Sequence, residues 1–487
     1  RSGPATGWIY PPLATLAYWP ATLVPDPTGA VLAGRLLSLV FFFAPAAWLL
    51  LTDRGDRTRP TGLTGVLLFG CFAMLTNQSR PLRYCSTEIH ADAPALGLAA
   101  VAVGLMARSR PEDRPWRMGV ALILATLSVW TKQLTAPVLV IILPLWAYLT
   151  RGVQGVVQYL GMAVSGGLAI ALLLLAVFDA RPALFNFITV PLLHPSRFES
   201  LEPALSRLLY QEQRQVVLLL LLAAGGLGQL AIRARRRGGP GGGLTSEPWT
   251  LALLVALAEL PISLMAYVKL GGDDNNLGFM LYFLTLAGLL MHSRLMTAGG
   301  ALGGADRATA SFRGIFVVNL VLTLLIAQEI ALAFVKPGPT WQEQQAAALR
   351  YIERHRGEVY FPWNPLEHLV VEGRLYHYEY GVFDRILAGY PPSLDHFLRD
   401  IPPRTRLVCY PPRTTVGDQV TLRYLQEFRE QIHVDELPDW ECYRRPEPTP
   451  APERDVDPPD AGNAGPGPAG SLPRRSGFQP GELGASG

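Results

Sequence analysis

The apolar residues of this chain stand in uninterrupted blocks, where a soluble fold would space them in periodic stripes. Several blocks, among them 154–178 and 314–335, are long enough to cross a hydrocarbon layer of roughly 30 Å. Only 17% of the residues are charged, whereas charged residues make up about a quarter of an ordinary soluble domain. The sequence therefore predicts an all-α polytopic membrane bundle. The net charge of +3 is too small to indicate a nucleic-acid partner.

Alternate loops between the apolar blocks differ in charge, which indicates the orientation of the bundle. Hydropathy predicts ten spans, near 32–52, 61–76, 92–107, 118–131, 136–150, 154–178, 215–232, 248–267, 277–292 and 314–335. One set of loops is rich in arginine, with Arg54, Arg108, Arg151, Arg235 and Arg294 among its members. By the positive-inside rule this set is cytoplasmic. The opposite loops then face the periplasm or exterior of a bacterial inner membrane; they comprise 88–92, Lys132, 179–214, 269–276 and all residues after Val335.

The character of the chain changes after Val335. Residues 336–445 combine a helical pattern at Trp341–Arg354 with short strand-like runs at Glu358–Phe361 and Arg406–Tyr410, separated by turns rich in Pro and Gly. We therefore expect a small extracytoplasmic α/β domain there, after the membrane domain at 1–335. Residues 446–487 consist mostly of Pro, Gly, Ala and charged residues, a composition that predicts a disordered tail.

An acidic segment lies at the mouth of the span 92–107. Glu88, His90 and Asp92 are candidate catalytic residues, and Arg83 precedes them as a candidate substrate-binding residue. A carboxylate at this position can act as general base for an acceptor hydroxyl, or hold a divalent metal together with a second acid. The alternative is structural, because an aspartate two residues before Pro94 is typical of a helix N-cap.

Two further polar segments fall on the same predicted side. Lys132 lies in a tight turn between two spans, where its ammonium could bind a lipid phosphate; the alternative is an interfacial lysine that snorkels to water. The segment 269–276 offers a cation, carboxamides and paired glycines for phosphate or sugar hydroxyls, and its alternative is a hydrophilic turn. The predicted substrate-binding residues are Arg83, Lys132, Lys269, Gly271, Gly272, Asp273 and Asn275.

The sequence lacks the common signatures of soluble cofactor chemistry. It contains no Walker A motif, Rossmann fingerprint, HExxH or GxSxG in a strand–helix context, so no cofactor beyond a divalent metal is expected. The four cysteines are far apart and lack metal-ligand spacing. Cys409 and Cys442 fall in the extracytoplasmic domain, where oxidation is permitted, and whether they pair depends on their unknown separation in space.

Four segments together resemble the bacterial C-type (GT-C) membrane glycosyltransferases of the protein mannosyltransferase-like group, glycosyltransferase family 39. Tyr10-Pro11-Pro12-Leu13 and Gly34-Arg35-Leu36-Leu37-Ser38 resemble a "YPPL … R-L-S" stretch of that family. The segment from His90 to Leu96 resembles its acidic helix mouth, and Trp130-Thr131-Lys132 its lysine between short helices. Lys269 to Asn276 resembles a "K-x-G-G-x-x-N" loop. Order and predicted side agree over roughly residues 8–290.

The resemblance implies transfer of a sugar from a polyprenyl-phosphate donor to a lipid, glycan or protein acceptor on the outer face of the bilayer. It implies roles for Lys132 and Lys269 at the leaving phosphate. The family carries its principal catalytic acid in a first outer loop that would lie upstream of residue 1, so Asp92 would be a second acid and the fragment alone would be inactive. A start outside the membrane without a signal peptide likewise predicts a missing upstream span.

Two other functions fit the same pattern. A non-enzymatic lipid or oligosaccharide transporter or flippase is the main alternative, and it predicts ionisable residues near the membrane midplane. The spans hold few such residues, and Arg35 and Glu259 are both placed near span ends by the hydropathy pattern. A ligase that joins a lipid-linked glycan to an acceptor would show the same sequence features as a monosaccharide transferase.

Overall fold

The computed structural model describes residues 5, 10–24, 27–52, 62–109, 115–212, 247–299, 339–411 and 419–446. These residues belong, all but the last, to one compact unit, Arg1–Arg445. The predicted spans 215–232 and 314–335 lie outside the described residues, as does the predicted tail 446–487 after its first residue.

Most helices in the first part of the chain are apolar around their whole circumference, as expected for helices that are buried or surrounded by lipid. The short helix Arg80–Thr87 is the exception, because it is polar and amphipathic. Small residues allow close packing: a Cβ on Gly97 would come within 2.3 Å of the Phe41 carbonyl oxygen on the neighbouring helix. The helices are α1 (Leu13–Tyr18), α2 (Pro27–Leu51), α3 (Gly62–Gln78), α4 (Arg80–Thr87), α5 (Asp92–Ala107) and α6 (Trp116–Val129).

A long helical stretch, Gln133–Val177, follows and is broken at Gly152, whose φ of 65° is left-handed. This break separates the predicted spans 136–150 and 154–178. The helices from here to residue 299 are α7 (Leu143–Met162), α8 (Leu168–Val177), α9 (Ala180–Leu184), α10 (Val190–Leu193), α11 (Leu201–Ser206), α12 (Pro248–Val268) and α13 (Gly278–Gly299), with short π and 3-10 segments between some of them.

Four helices in the described part are long and apolar enough to cross a membrane, and a fifth is added if the bent pair α4–α5 forms one span. The four stretches are Gly29–Leu51, Gln133–Val177, Pro248–Val268 and Asp274–Ser293. The predicted helical class is confirmed, and these helices are compatible with membrane insertion, but ten spans are not shown. The predicted spans 61–76 and 118–131 correspond to the shorter apolar helices Thr64–Gln78 and Trp116–Val129.

Residues 339–411 and 419–445, which we call the C-terminal domain, form a mixed α/β structure within the same compact unit as the helices, so a separate domain here stays a prediction. Its sheet has the strand order β1-β2-β4-β3, with β1 parallel to β2 and the other pairs antiparallel. Strands β1 and β2 fall within the two predicted strand-like runs. The elements are α14 (Pro339–Arg354), β1 (Val359–Tyr360), α15 (Pro365–Glu372), α16 (Glu379–Leu387), α17 (Leu394–Arg399), β2 (Leu407–Tyr410), β3 (Glu430–Ile432) and β4 (Glu441–Arg444).

A disulfide joins the two central strands of this sheet. Cys409 and Cys442 are directly opposite each other in the antiparallel β2–β4 pair, and both are fully buried. The sequence left their pairing open, because only the register of the sheet brings the two cysteines together.

Among the described residues, the C-terminal domain contacts the preceding part of the chain at several places. The backbone of Ala5 accepts a hydrogen bond from Tyr378 N (2.8 Å), so the N-terminal segment is tied to the start of α16. Phe185, just after α9, packs edge-on against Tyr390 (centroids 5.3 Å apart) and lies under the Arg385 guanidinium at 5.9 Å. These contacts bring α16 next to the chain around α10.

Candidate functional site

The predicted catalytic carboxylate, Asp92, is the first residue of α5 and is fully buried. Its side chain accepts hydrogen bonds from Lys132 Nζ, from His90 Nδ1 and from Asn275 Nδ2 (2.9 Å). The N-cap position is taken by Ala91 without any side-chain cap, so the capping alternative for Asp92 is wrong. We call Asp92, His90, Lys132 and Asn275 the Asp92 cluster.

Lys132 follows α6 and is buried, with 3% of its surface exposed. Its ammonium bonds to Asp92 and lies 3.4 Å from Asn276 Oδ1. It also faces the rings of Tyr10 and Phe279, 5.6 and 5.1 Å from their centroids. The snorkelling alternative is therefore wrong, because this cation is directed into the protein. A buried ammonium requires a carboxylate partner, and Asp92 is that partner.

The loop 269–276 contributes to the cluster through its two asparagines. Asn275 binds the carboxylate of Asp92, and Asn276 accepts from Lys132, so each member of the ion pair gains an amide partner. The next residue back, Asp274, is held by Arg207 and by Arg80, whose Nε lies 3.0 Å from Asp274 Oδ2. These ion pairs fix the loop to α4 and to the segment after α11. A simple hydrophilic turn would not require such contacts.

The paired glycines have a structural reason. Gly271 has a φ of 83°, a left-handed conformation that side chains disfavour. A Cβ on Gly272 would come within 2.3 Å of the Ala266 carbonyl oxygen. Asp273 is exposed and accepts from Asp274 N at 2.6 Å. The predicted contact of Gly271, Gly272 and Asp273 with substrate stays a prediction, and the turn accounts for these residue types without it.

Besides Gly271, Gly272 and Asp273, three more predicted site residues lie outside the Asp92 cluster. Glu88 is half-buried and lies 3.8 Å from Arg35. Arg83 is exposed, with Nη1 3.5 Å from the Asn77 carbonyl oxygen. Lys269 is half-buried and donates from Nζ to the Pro191 carbonyl oxygen (2.5 Å), and burial lowers the pKa of its ammonium. The last contact places Lys269 beside the chain at α10.

The turn that carries His90 is held by residues in the first two segments of the family resemblance and by Tyr18. Tyr18 donates to the His90 carbonyl oxygen (2.7 Å), and Ser38 donates to the Glu88 carbonyl oxygen (2.7 Å). The His90 ring packs edge-on against Tyr10 at 4.8 Å and against Tyr84 at 5.8 Å. The sequence did not predict Tyr18 or Asn276 as site residues. Tyrosine and asparagine are common in loops and at helix ends, so their role is visible only once their hydrogen-bond partners are known.

His90 and Asp92 form an oriented dyad. An ionised carboxylate can only accept, so the proton between them is on His90 Nδ1; in the neutral form of the ring the lone pair is then on Nε2. The side chain of His90 is 19% exposed, and its only hydrogen bond to the described residues is to Asp92. Asp92 itself already accepts from three donors. The group of this cluster best able to take a proton from a substrate is therefore His90 Nε2.

One group of potential metal ligands lies in the C-terminal domain, where His377, His396 and Asp400 place ligand atoms within 4.8 Å of one another. Ala5 N donates to His377 Nδ1 at 2.8 Å, so the proton of the neutral ring is on Nε2 and no lone pair remains there. Burial lowers the pKa of His377 to about 4, which keeps the ring neutral. Arg374 lies 3.6 Å from Asp400. These contacts do not fit a metal site, and the predicted metal at Asp92 would have to displace Lys132.

No protein-family model and no curated protein matches this chain. The resemblance to C-type glycosyltransferases therefore rests on the four sequence segments alone. All four contribute to one site, since His90 and Asp92, Lys132 and Asn275 form the Asp92 cluster and Tyr10 packs against it.

Proposed function

We propose that this protein is a membrane glycosyltransferase. It takes a sugar from a polyprenyl-phosphate donor and transfers it to a hydroxyl of a lipid, glycan or protein acceptor at the outer face of the bilayer. The observation that carries the proposal is the His90–Asp92 dyad at the N-terminal end of an apolar helix. This dyad is completed by Lys132 and Asn275 from distant parts of the chain.

A lipid-borne donor requires its reacting atoms to sit at the bilayer surface, where the apolar helix α5 begins. At that place His90 Nε2 accepts the proton of the acceptor hydroxyl. The acceptor oxygen forms a bond to the anomeric carbon, and the bond from that carbon to the phosphate oxygen breaks. The electron pair leaves with the polyprenyl phosphate, and the configuration is inverted.

The two lysines differ in their charged partners, and this difference indicates different roles. Lys132 is neutralised by Asp92, so its main effect is to hold the carboxylate that orients His90. Among the described residues, the Lys269 ammonium is hydrogen-bonded to a carbonyl oxygen and not to a carboxylate, so no negative charge neutralises it. Two of its three N–H donors can still face a ligand. Lys269 is therefore our candidate for stabilising the charge that develops on the leaving phosphate.

A transporter is the second candidate, and one residue favours it. Glu259 lies in the middle of α12, not near a span end as the sequence predicted. It is fully buried, and neither carboxyl oxygen has a hydrogen-bond partner among the described residues. Unpaired carboxyls inside membrane helices commonly mark transport or proton pathways.

Proteoliposomes of the purified full-length protein separate the two functions. With undecaprenyl-phosphate mannose or glucose as donor, a transferase releases undecaprenyl phosphate, and His90→Asn lowers kcat by about 10²–10⁴-fold, the usual contribution of a general base. Glu259→Gln retains transfer. A transporter instead moves the labelled lipid between leaflets without releasing its phosphate, and the Glu259 variant loses that movement. Release that is equal in wild type and His90→Asn contradicts the assigned base.

A further inference from the structure

A second pair of titratable residues lies where the C-terminal domain meets the helical bundle. Asp384, on α16, and His194, just after α10, approach each other with Oδ1 and Nε2 3.7 Å apart. His194 Nε2 is buried and makes no hydrogen bond to any described residue. Asp384 keeps 13% of its side chain exposed, so a ligand can reach it.

This pair adjoins the residues already assigned to the reaction. Lys269 bonds to the Pro191 carbonyl oxygen in α10, and its positive charge acts on His194. On the other side, Tyr10 packs against His90 and is close enough to Asp384 for that carboxylate to affect it. Burial, then Asp92, Tyr84 and Asp384, hold the pKa of Tyr10 well above its usual value. Tyr10 therefore contacts His90 and also feels the charge of Asp384.

We propose that Asp384 is the general acid of the transfer reaction: it gives its proton to the phosphate of the leaving polyprenyl phosphate, while His90 takes the proton of the acceptor hydroxyl. This role rests on the proposed function. The balance is complete, because one proton leaves Asp384 for a phosphate oxygen, one proton reaches His90 Nε2, and the electron pair of the broken bond stays on the phosphate. Lys269 binds the same phosphate, and His194 positions the acid.

The surroundings of Asp384 and Asp92 favour different protonation states, which suits Asp384 as the acid and Asp92 as the anion that orients the base His90. Burial raises the pKa of Asp384 to about 7, so at neutral pH a large fraction of the protein molecules carry a protonated Asp384. Burial, and then Lys269, lower the pKa of His194, so the neighbouring imidazole does not take that proton. Asp92, in contrast, is bonded to a buried ammonium. An acid and a base whose environments differ in this way are typical of a site that moves two protons.

Several other charged and titratable groups lie next to Asp384 along the chain or feel its charge, whereas burial is what raises the pKa of Asp384 itself. Arg385, the next residue on α16, lies over the Phe185 ring and feels Asp400. Tyr380 is raised in pKa by burial, by Asp384 and by Asp273 of the predicted substrate loop. Tyr10 and Tyr378 also feel the charge of Asp384.

Two measurements test the acid, with Asp384→Asn as the variant and the exposed Asp395→Asn as the matched control. The first is the pH profile of transfer by the full-length protein in proteoliposomes, with undecaprenyl-phosphate mannose or glucose as donor. We expect wild-type kcat to fall as pH rises through about 7. Asp384→Asn should lose this limb and lower kcat about 10²-fold, with little change in the KM for the donor. His194→Gln should shift the limb, whereas the control should not.

The second measurement does not depend on turnover. Infrared difference spectra between pH 5 and pH 9 should show the carbonyl absorption of protonated carboxylic acids in wild type and in Asp395→Asn. Asp384→Asn should remove one component of this absorption, while another remains because burial also raises the pKa of Glu379 to about 7. Absence of transfer by wild type would overturn the proposed function and this role together. Transfer by wild type with an unchanged profile in Asp384→Asn, or with no band assigned to Asp384, would overturn the acid alone.

Discussion

The ion pair between Lys132 and Asp92 offers a direct test of how the site is built. Replacing Lys132 by Met keeps most of the side-chain volume but removes the charge. Asp92 is then left as a fully buried carboxylate with only His90 and Asn275 as donors. Removing one partner of a buried ion pair costs about 3–5 kcal/mol, because the other charge stays buried and unpaired. We expect a loss near the lower end, about 3 kcal/mol, since two donors remain.

A double-mutant cycle separates the pair from its surroundings. Asp92→Asn alone leaves the ammonium of Lys132 buried without a counter-charge and should also cost about 3 kcal/mol. The double variant Asp92→Asn/Lys132→Met contains no buried charge at this place. It should therefore be more stable than the sum of the two losses predicts, by a coupling energy of about 2–3 kcal/mol.

Unfolding of the purified protein in mixed micelles of dodecyl maltoside and dodecyl sulfate measures these free energies. Arg83→Met is the control, because the Arg83 side chain is exposed and its removal should change stability by no more than about 0.5 kcal/mol. Two results would refute the reasoning: Lys132→Met as stable as the control, or losses that simply add in the double variant.

Three further changes have defined outcomes. Asp384→Asn should stabilise the protein at pH 8 and not at pH 4. The pKa of Asp384 in the folded protein, about 7, lies above its value in the unfolded chain, so the folded state is favoured most where Asp384 is protonated in both states, below about pH 4. This contribution to the free energy of unfolding, at most about 4 kcal/mol, is lost as pH rises through 7. Thermal unfolding across this pH range measures it, and a wild-type curve parallel to the variant's would count against it. Reduction of the Cys409–Cys442 disulfide, or Cys409→Ser/Cys442→Ser, should destabilise the C-terminal domain by about 3–4 kcal/mol for a closed loop of this length, seen as earlier denaturant unfolding. Gly272→Ala should lower stability by more than about 1 kcal/mol through the contact with the Ala266 carbonyl oxygen, whereas an unchanged unfolding midpoint would mean that the loop rearranges freely.

Much of the architecture follows from local sequence patterns. The apolar blocks predicted helices of the membrane type, and short runs of β-forming residues predicted β1 and β2. The number of spans was harder to predict, because helices such as Trp116–Val129 are apolar yet shorter than the bilayer needs. Whether such a helix spans, tilts or packs inside depends on its neighbours, which hydropathy along the chain does not contain.

The sequence predicted several residues of the site, but not which of them contact one another. Asp92, Lys132 and Asn275 were singled out because polar groups at the ends of apolar helices are costly, yet only the packing of α5 against α6 and α13 joins them. Glu88 was chosen on the same grounds and is instead paired with Arg35 at the edge of the site. Asp384 and His194 gave no signal, because each stands in an ordinary amphipathic or loop sequence. Their burial depends on the contact between two domains.

The most direct test of the proposed function is a mass balance of a single turnover. Purified full-length protein in liposomes is mixed with substoichiometric undecaprenyl-phosphate mannose or glucose, labelled in the sugar, and with a membrane extract as the source of acceptors. Mass spectrometry then follows the lipid phosphate and the labelled product. We predict one undecaprenyl phosphate released for each labelled acceptor formed, with both lost in His90→Asn. Donor that remains intact, or release that continues unchanged in His90→Asn, would contradict a glycosyltransferase built on the His90–Asp92 dyad.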